Sequence, residues 1–382
     1  MPTFYEFFAG GGMARAGLGP NWACLFANDF DEKKAASYRS NWGQMGLKIA
    51  DVNVLTTDEL PGRADLAWAS FPCQDLSLAG AGAGLRGERS GAFWPFWTLM
   101  KRLVAERRAP ALVVLENVCG ALTSHGGADF CSIGEAIVGA GYNFGAIVMD
   151  AVHFVPQSRP RLFIVAVRQD IPLPPRILGI GAGEIWHNGA VIEAHAKMSK
   201  SVRAHWLWWR MPAPPRRDTV FSELIEDEPR GVEWHTREET RRLIAMMSPV
   251  NLEKLNAARK AGRRMVGCIY RRTRPDESGG KVQRAEIRFD DVAGCLRTPA
   301  GGSSRQTIMI VDGDSVRSRL LSPRESARLM GLPDKYKLPN NYNEAYHLLT
   351  GDGVVVPVVS FLARHVLSPA IAFARTAEIR AA

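Results

Sequence analysis

The 382-residue sequence has few cysteines and no long uninterrupted apolar segment. Its six cysteines form no C-x-x-C pair and have no histidine at metal-ligand spacing, which argues against a disulfide framework and a zinc site. The longest apolar run, 354–362, is far shorter than the ~20 residues of a membrane-spanning helix. The first residues lack the pattern of a secretory signal. We therefore expect a reduced cytoplasmic chain with no metal and no membrane association.

Positive charge is present in excess but is unevenly distributed. The chain carries 48 Lys and Arg against 39 Asp and Glu, a net charge of +9. Residues 1–150 carry 12 basic and 15 acidic side chains, whereas residues 195–290 carry 21 and 13. A basic segment beside a near-neutral one is typical of a phosphate-facing module attached to an enzymatic core. A solvated arginine-rich surface would give the same count, so charge alone leaves both interpretations open.

Short apolar runs alternate with amphipathic stretches through the first 165 residues. This alternation predicts an α/β fold with a doubly wound, mainly parallel sheet, in which ligands bind beyond the carboxyl ends of the strands. Prolines at 172, 174 and 175 break the pattern. We expect a first domain over 1–175, a second over 176–340, and a segment at 341–382 that returns to the first. The tryptophans at 206, 208 and 209 are expected to be core residues more often than base-stacking ones.

A glycine-rich motif, Phe7–Gly12, follows the first predicted strand. Glycines at this position allow a ligand to approach the backbone and a helix N-terminus closely. The motif lacks the third glycine of a dinucleotide-binding loop, because Arg15 stands in its place. Asp29, after the second strand, is placed to accept from ribose hydroxyls. The alternatives are a tight turn for the glycines and a helix cap for Asp29 or Asp31.

Three further polar motifs follow predicted strands. Pro72-Cys73-Gln74 opens a glycine-rich loop that contains Arg86 and Arg89, a composition suited to a nucleophile beneath a mobile lid. Glu116-Asn117 ends an apolar strand and is a candidate buried acid. In the Gln157–Arg161 segment, two arginines lead into a predicted strand, and their side chains could bind an anion or a carbonyl oxygen. In isolation each has an ordinary alternative: an inert cysteine, a surface cap and a solvated strand entry.

Taken in order, these motifs resemble those of the DNA (cytosine-C5) methyltransferases. The resemblance extends over nearly the whole chain and includes an Arg-Glu element and a Gly-Asp-Gly-Val segment near the C-terminus. The matching segments are Phe8–Gly12, Pro72–Gln74, Glu116–Val118, Gln157–Arg161, Arg324–Pro333 and Gly351–Val354. It implies a Rossmann-like class I methyltransferase fold with a smaller target-recognition domain, and S-adenosylmethionine as the cofactor, released as S-adenosylhomocysteine.

The resemblance also implies residue roles. Cys73, flanked by Pro72 and Gln74, resembles the nucleophile that attacks C6 of a cytosine flipped out of duplex DNA. Glu116 resembles the acid that engages N3 and the exocyclic amine, with Asn117 as loop support. Arg161 resembles the group that holds O2, with Arg159 beside it. The implied cofactor residues are Phe8, Ala9, Gly10, Gly11, Gly12, Asp29, Phe30, Asp51, Val52, Pro72, Asp352 and Val354.

The basic segment lies where this family carries target recognition. Arginine is the side chain most often used to read guanine, and most protein–DNA hydrogen bonds go to the backbone. The candidate DNA contacts are Arg86, Arg89, Arg271, Arg272, Arg274, Arg284, Arg288 and Thr298. Three departures surround the cofactor: Glu6 stands where Asp is usual, Met13 where Gly is common, and Asp352-Gly353 where Asn-Ser is common.

Two alternatives remain at this stage: an RNA (tRNA) cytosine-C5 methyltransferase on the same scaffold, and a catalytically silent DNA-binding homologue. A nicotinamide oxidoreductase does not fit the missing third glycine. By the resemblance, we expect a monomer acting on double-stranded DNA in the bacterial cytosol and associated with the nucleoid through DNA. A cognate restriction endonuclease in the same cell is a further expected partner. The sequence does not reveal the recognition site.

Overall fold

The computed structural model describes residues 1–72, 90–275, 279–296, 305–350 and 353–381. The chain divides into two compact units. The first comprises residues 1–150, 160–214 and 352–382, and the second comprises residues 151–159 and 215–351.

A seven-stranded sheet forms the centre of the first unit. Its strands are β1 (Thr3–Phe7), β2 (Ala23–Asp29), β3 (Leu47–Ile49), β4 (Leu66–Ala69), β5 (Leu112–Asn117), β6 (Tyr142–Asp150) and β7 (Pro160–Arg168). They are ordered β3-β2-β1-β4-β5-β7-β6, and only β7 runs antiparallel to its neighbours. The order reverses between β1 and β4, which places a crevice at their carboxyl ends. The predicted doubly wound, mainly parallel sheet is confirmed.

Helices cover the strands of this sheet, which explains why the strands are apolar without alternation. The helices are α1 (Met13–Leu18), α2 (Glu32–Trp42), α3 (Phe93–Ala105), α4 (Ala128–Gly139), α5 (Gly189–Lys197) and α6 (Lys200–Arg203). All six residues of β5 are buried. Phe96 and Trp97 of α3 pack in the same core. This packing holds the sheet rigid and so fixes the position of the side chains that follow its strands.

The segment after residue 353 packs with the first unit as one long helical stretch. The stretch consists of α11 (Val356–Leu362), a wider turn over Ala363–Leu367, and α12 (Ser368–Ala381). Gly17 of α1 lies so close to Val359 that a Cβ atom there would overlap it. Residues 356–380 are long and apolar enough to cross a membrane by length and composition, but 56% of the most apolar window is buried within the protein, as in a core helix.

The first unit continues to Pro214, whereas the sequence places the boundary at residue 175. A backbone contact explains the difference. Gly145 of β6 would overlap the Leu207 carbonyl if it carried a Cβ atom, and Leu207 N donates to Phe144 O at 2.7 Å. Two short strands, β8 (Leu178–Gly179) and β9 (Trp208–Trp209), also lie in this unit. Trp206 and Trp209 are buried, as expected of core residues.

An antiparallel sheet ordered β11-β10-β12-β13 forms the second unit. Its strands are β10 (Met265–Pro275), β11 (Lys281–Arg288), β12 (Thr307–Asp312) and β13 (Ser315–Leu320). The helices are α7 (Arg237–Ala245), α8 (Pro249–Lys260), α9 (Pro323–Leu329) and α10 (Tyr342–Thr350). Leu243 of α7 and Leu255 of α8 pack with Ile269 and Ile287 of the sheet, so these helices cover one of its faces.

A buried ion pair joins β13 to α9 inside the second unit. Arg319 and Glu325 have fully buried side chains, with Arg319 Nη1 2.8 Å from Oε2 and Nη2 2.6 Å from Oε1. The carboxylate also accepts from the backbone N–H groups of Ser322 and Glu226. Glu325, which belongs to the Arg-Glu element of the sequence (Arg324–Pro333), therefore has a structural contact with Arg319.

Candidate active site and nucleic-acid interface

The loop between β1 and α1 has an unusual backbone. Phe8 has a φ of 56°, and Gly10 and Gly12 have φ values of 54° and 77°. Such a conformation is uncommon for a bulky residue, costs of the order of 1 kcal/mol or more, and is found most often at functional sites. A Cβ atom on Gly12 would overlap the indole of Trp42, so glycine is needed there for close packing as well.

Asp29 faces the glycine loop. It is buried, its Oδ2 accepts from Gly10 N at 2.8 Å, and its Oδ1 accepts from Asp31 N at 2.9 Å. The cap of α2 is Asp31, which accepts from the N–H groups of Lys33 and Lys34. Of the two candidates for a helix cap, Asp31 has that role. Asp29 instead couples the glycine loop to the end of β2.

The other predicted cofactor residues lie at the ends of nearby elements. Phe30, directly after β2, has 66% of its surface exposed, which is unusual for a large aromatic side chain. Asp51, exposed after β3, accepts from Asn53 N at 2.8 Å and caps a short turn. Val52 and Val354 are buried, and Asp352 lies outside the described residues. The strands β1, β2 and β3 are adjacent and parallel. The residues that follow their carboxyl ends, including Phe30 and Asp51, therefore lie at one edge of the sheet.

Glu116 and Arg161 meet at the same edge of the sheet. Glu116 lies near the end of β5 and Arg161 near the start of β7, and the antiparallel pairing of these strands brings the two residues together. Arg161 Nε lies 3.4 Å from Glu116 Oε1, and their side chains are only 15% and 8% exposed. Arg161 Nη1 also donates to Pro160 O at 2.9 Å. A guanidinium and a carboxyl group are thus held side by side in a sheltered position.

Asn117 ties this pair to the segment that precedes the predicted nucleophile. Its Nδ2 donates to Phe71 O at 3.1 Å, and its Oδ1 accepts from Val118 N at 2.8 Å. Phe71 and Pro72 follow β4, which lies between β1 and β5. Phe71 and Pro72 therefore lie at the crevice where the strand order reverses. Cys73 and Gln74 lie outside the described residues, as do Arg86, Arg89 and Thr298.

Arg159 belongs to the second unit and makes its contacts there. It is almost fully buried, and its Nη1 lies 2.9 Å from Leu296 O and 3.3 Å from Cys295 Sγ. Gln157, also buried, accepts from Leu296 N at 3.2 Å and donates to Leu329 O at 2.8 Å. These contacts position the backbone that leads towards Thr298, and a catalytic role for Arg159 remains a prediction.

Four of the predicted DNA-binding arginines share one face of the hairpin formed by β10 and β11. The register pairs Arg272 with Arg284 and Cys268 with Arg288, so side chains at even-numbered positions point to the same face. On that face lie Arg272, Arg274, Arg284 and Arg288. Arg271, paired with Ala285, is on the other face. The second unit as a whole carries 26 Lys and Arg against 19 Asp and Glu, a net charge of +7.

Sequence reasoning did not identify the support behind the glycine loop. Trp42 Nε1 donates to Gly11 O at 2.9 Å, and the Arg15 guanidinium lies over the Trp42 ring. Glu6 Oε1 accepts from Arg15 N at 3.1 Å and so satisfies the start of α1, whose N-cap residue offers no side-chain hydrogen bond. Burial raises the pKa of Glu6 to about 8. No local pattern relates Trp42 to a loop 31 residues earlier.

Within the described residues, no group of three or more His, Cys, Asp or Glu side chains is arranged to hold a metal ion. The chemistry of the described site rests on carboxyl, amide and guanidinium groups at the ends of β2, β5 and β7.

Comparisons with known proteins agree on one family. The family model for C-5 cytosine-specific DNA methylases matches residues 2–368. The Type II methyltransferase M.HhaI of Haemophilus parahaemolyticus is 23% identical over 95% of this chain and 93% of its own length. M.NgoBI of Neisseria gonorrhoeae is 27% identical over 93% and 89%. M.BsuFI of Bacillus subtilis is 32% identical over 171 residues, and that match spans 40% of its length.

Solved structures show the same fold. The Dnmt2 methyltransferase of S. pombe superposes with a TM-score of 0.57 at 18% identity, covering 97% of this chain and 99% of that one. A putative DNA modification methyltransferase from an E. coli prophage superposes with a TM-score of 0.54 at 15% identity, covering 98% and 100%.

Proposed function

The chain belongs to the C-5 cytosine-specific DNA methylase family, and on that premise we propose how its residues divide the reaction. It is a DNA (cytosine-5)-methyltransferase that uses S-adenosylmethionine, as the sequence motifs predict. The observation that carries the assignment of roles is the sheltered Glu116–Arg161 pair beside the strand end that leads to Cys73.

We propose that Cys73 is the nucleophile. Its thiolate adds to C6 of the cytosine, which forms an S–C6 bond and gives C5 the electron density of an enamine carbon. S-adenosylmethionine supplies an electrophilic methyl group on a sulfonium. After C5 has taken the methyl group, with S-adenosylhomocysteine as the leaving group, a base such as water takes the C5 proton. The electron pair of that C–H bond restores the C5=C6 double bond, which breaks the S–C6 bond and frees the thiolate. The Asn117 hydrogen bond to Phe71 O supports this role, because it fixes the backbone two residues before Cys73.

Glu116 and Arg161 are proposed to hold the base. Cytosine presents an oxygen acceptor at O2, a ring nitrogen at N3 and an amine at C4 along one edge. Arg161 donates to O2, and Glu116 binds N3 and the amine, which relieves charge as the thiolate adds. Their 3.4 Å separation suits two groups that contact neighbouring atoms of one ring. Because a base inside a duplex is inaccessible to this pair, the target must be flipped out at a cost of a few kcal/mol.

The carboxyl edge of β1, β2 and β3 suits the cofactor. The left-handed backbone at Phe8 and the glycines leave room for a ligand against the loop and the start of α1. We propose that Phe8–Gly12 contact the methionine portion and that Asp29 accepts from the ribose hydroxyls. Phe30 stacks on the adenine, which accounts for its exposed ring. Asp51 accepts from the adenine amine, Val52 and Pro72 line the pocket, and Asp352 and Val354 close it.

Double-stranded DNA is the substrate, and the second unit is proposed to read it. Its net charge of +7 and the shared face of four hairpin arginines support this assignment. We propose phosphate or base contacts for Arg271, Arg272, Arg274, Arg284, Arg288 and Thr298, and backbone contacts from the lid for Arg86 and Arg89. We further propose that the enzyme acts as a cytosolic monomer, associates with the nucleoid through DNA, and has a cognate endonuclease.

Bisulfite sequencing of a plasmid from a host that expresses the gene tests the assignment. We expect protected cytosines in one sequence context with the wild-type enzyme, and none with Cys73→Ala, because the S–C6 bond cannot form. Cys131→Ala, a partly buried cysteine of α4, is the matched control and should leave the pattern unchanged. Methylation that survives Cys73→Ala would contradict the mechanism. Methyl transfer to tRNA but not to duplex DNA would favour the RNA alternative.

A further inference from the structure

The hairpin of β10 and β11 has one face on which nearly every polar side chain is basic. We call the side chains of Arg272, Arg274, Arg284, Glu286 and Arg288 the arginine face. The two strands, Met265–Pro275 and Lys281–Arg288, contain six basic residues and a single acidic one, Glu286. An acidic side chain in the middle of a surface assigned to phosphate binding calls for a physical reason.

Glu286 binds two of the arginines at once. Its Oε1 lies 2.7 Å from Arg274 Nε and 2.6 Å from Arg274 Nη2, a fork that engages one oxygen with two donors. Its Oε2 lies 3.4 Å from Arg272 Nε. The arginine side chains are 54% and 48% exposed and that of Glu286 is 27% exposed. The three groups are therefore within reach of a ligand from solution.

The carboxylate also relieves repulsion within the face. Arg272 lies directly opposite Arg284 in the strand register, and like charges in that relation destabilise a sheet. A carboxylate and a phosphate offer the same kind of paired oxygen acceptors to a guanidinium. Glu286 therefore occupies, in the free protein, donors that a DNA phosphate would use.

We propose that Glu286 is an internal competitor of DNA phosphates for Arg272 and Arg274, and that it limits the strength of sequence-independent binding. This proposal rests on the proposed function of the second unit as the DNA-reading part. A duplex gains these two contacts only when its backbone displaces the carboxylate. Contacts formed purely by charge are weakened as a result, and the enzyme is released more readily from DNA that lacks its target.

The test compares Glu286→Gln with a matched control, Glu238→Gln. Both changes raise the net charge by one. E286Q releases Arg272 and Arg274, whereas E238Q releases Arg242, with which Glu238 pairs on α7. Binding is measured by fluorescence anisotropy with a labelled duplex of random sequence at several salt concentrations. We expect E286Q to bind roughly three- to tenfold more tightly at low salt, with the salt slope steeper by about one to two units. E238Q should change binding less than about twofold.

A double-mutant cycle tests the route of the effect. In a background of Arg272→Gln with Arg274→Gln, E286Q should change binding by less than about twofold, as E238Q does, because its two partners are absent and only the net charge changes. Three results would each overturn the proposal. They are unchanged or weaker DNA binding by E286Q, an equal gain in affinity from E238Q, and the same gain from E286Q in the background that lacks Arg272 and Arg274. Methyl transfer by the wild type is measured alongside. Its absence would count against the proposed function, whereas normal transfer with an unresponsive E286Q would count against this inference alone.

Discussion

At the scale of single residues, the site combines groups whose chemistry depends on shelter from water. Glu116 and Arg161 place a carboxyl group beside a guanidinium, and both side chains are mostly buried at the edge of the sheet. Glu6, by contrast, lies beneath the glycine loop, where its Oε2 has no hydrogen-bond partner among the described residues and burial favours the protonated acid. The same residue type thus has a different electrostatic environment at two strand ends of one sheet.

Glu6 makes stability depend on pH in a defined direction. Burial raises its pKa from 4.5 to about 8 in the folded protein, with the Asp29 carboxylate adding to the rise and Arg15 opposing it. The folded state therefore holds a proton that the unfolded chain has lost between these values, so stability falls as pH rises towards 8. Below pH 4.5 the contribution is fully present, and above about pH 8 the loss is complete.

Glu6→Gln should remove this dependence, because the amide stays neutral and its oxygen can still accept from Arg15 N. We expect the stability of E6Q relative to wild type to rise by about 2 kcal/mol between pH 6 and pH 8.5. Urea unfolding of both proteins at the two pH values measures the difference, and titrations of other groups cancel in it. If the free energy of unfolding of E6Q relative to wild type stays constant or falls as pH rises, Glu6 is ionised in the folded protein.

At the scale of elements, the sequence predicted what is encoded locally. The strand–glycine–helix order around Phe8, the acid that ends β2 and the carboxyl group near the end of β5 all follow from short patterns, and the structure places them at one edge. The extension of the first unit to Pro214 depends on how closely the Leu207 backbone approaches Gly145, a contact between residues far apart in sequence. A local pattern carries no information about such an approach.

The buried pair of β13 and α9 shows the same limit. Arg319 is one of two arginines in β13, and nothing in its local sequence indicates burial, yet it is fully buried against Glu325 and lies over the Trp234 ring. Its burial depends on Glu226 and Ser322 being present to complete the hydrogen bonds of the carboxylate. Charge in the sequence therefore does not reveal which arginines are available to DNA.

Arg319→Met should destabilise the second unit by about 3–5 kcal/mol, because it leaves the buried Glu325 carboxylate without its counter-charge. The double variant Arg319→Met with Glu325→Leu should regain much of that loss, since no unpaired charge remains. Denaturant unfolding followed by tryptophan fluorescence measures both. If the double variant is no more stable than the single one, the hydrogen bonds of Glu325 to backbone matter more than its charge.

At the scale of the whole molecule, charge is divided between the units. The second unit carries +7 of the total +9, so the first is nearly neutral despite its catalytic groups. Association with DNA should thus depend on salt through the second unit, while the proposed catalytic residues lie in a unit that attracts phosphate weakly.

Removing one arginine from each unit tests this division. Arg284→Gln, on the arginine face, should reduce the slope of log affinity against log salt by about one unit, because one phosphate contact is lost. Arg102→Gln, an exposed arginine of α3, makes the same charge change in the first unit and should leave the slope unchanged. The slope is read from duplex binding between low and moderate salt. If R102Q changed the slope more than R284Q, the DNA-binding charge would lie in the first unit, which would contradict the prediction.

The contact between α1 and α11 has a consequence for the order of events during synthesis. Ser360 Oγ donates to Gly17 O, 343 residues earlier, and Val359 packs where Gly17 lacks a side chain. During synthesis, α1 leaves the ribosome long before α11, the helix that covers it, has been made. Most of the second unit, residues 215–351, is already synthesised before α11 and adjacent in sequence. The second unit, proposed to read DNA, can therefore fold before α11 is made, whereas the first unit, which carries the proposed catalytic residues, is completed only once α11 is present.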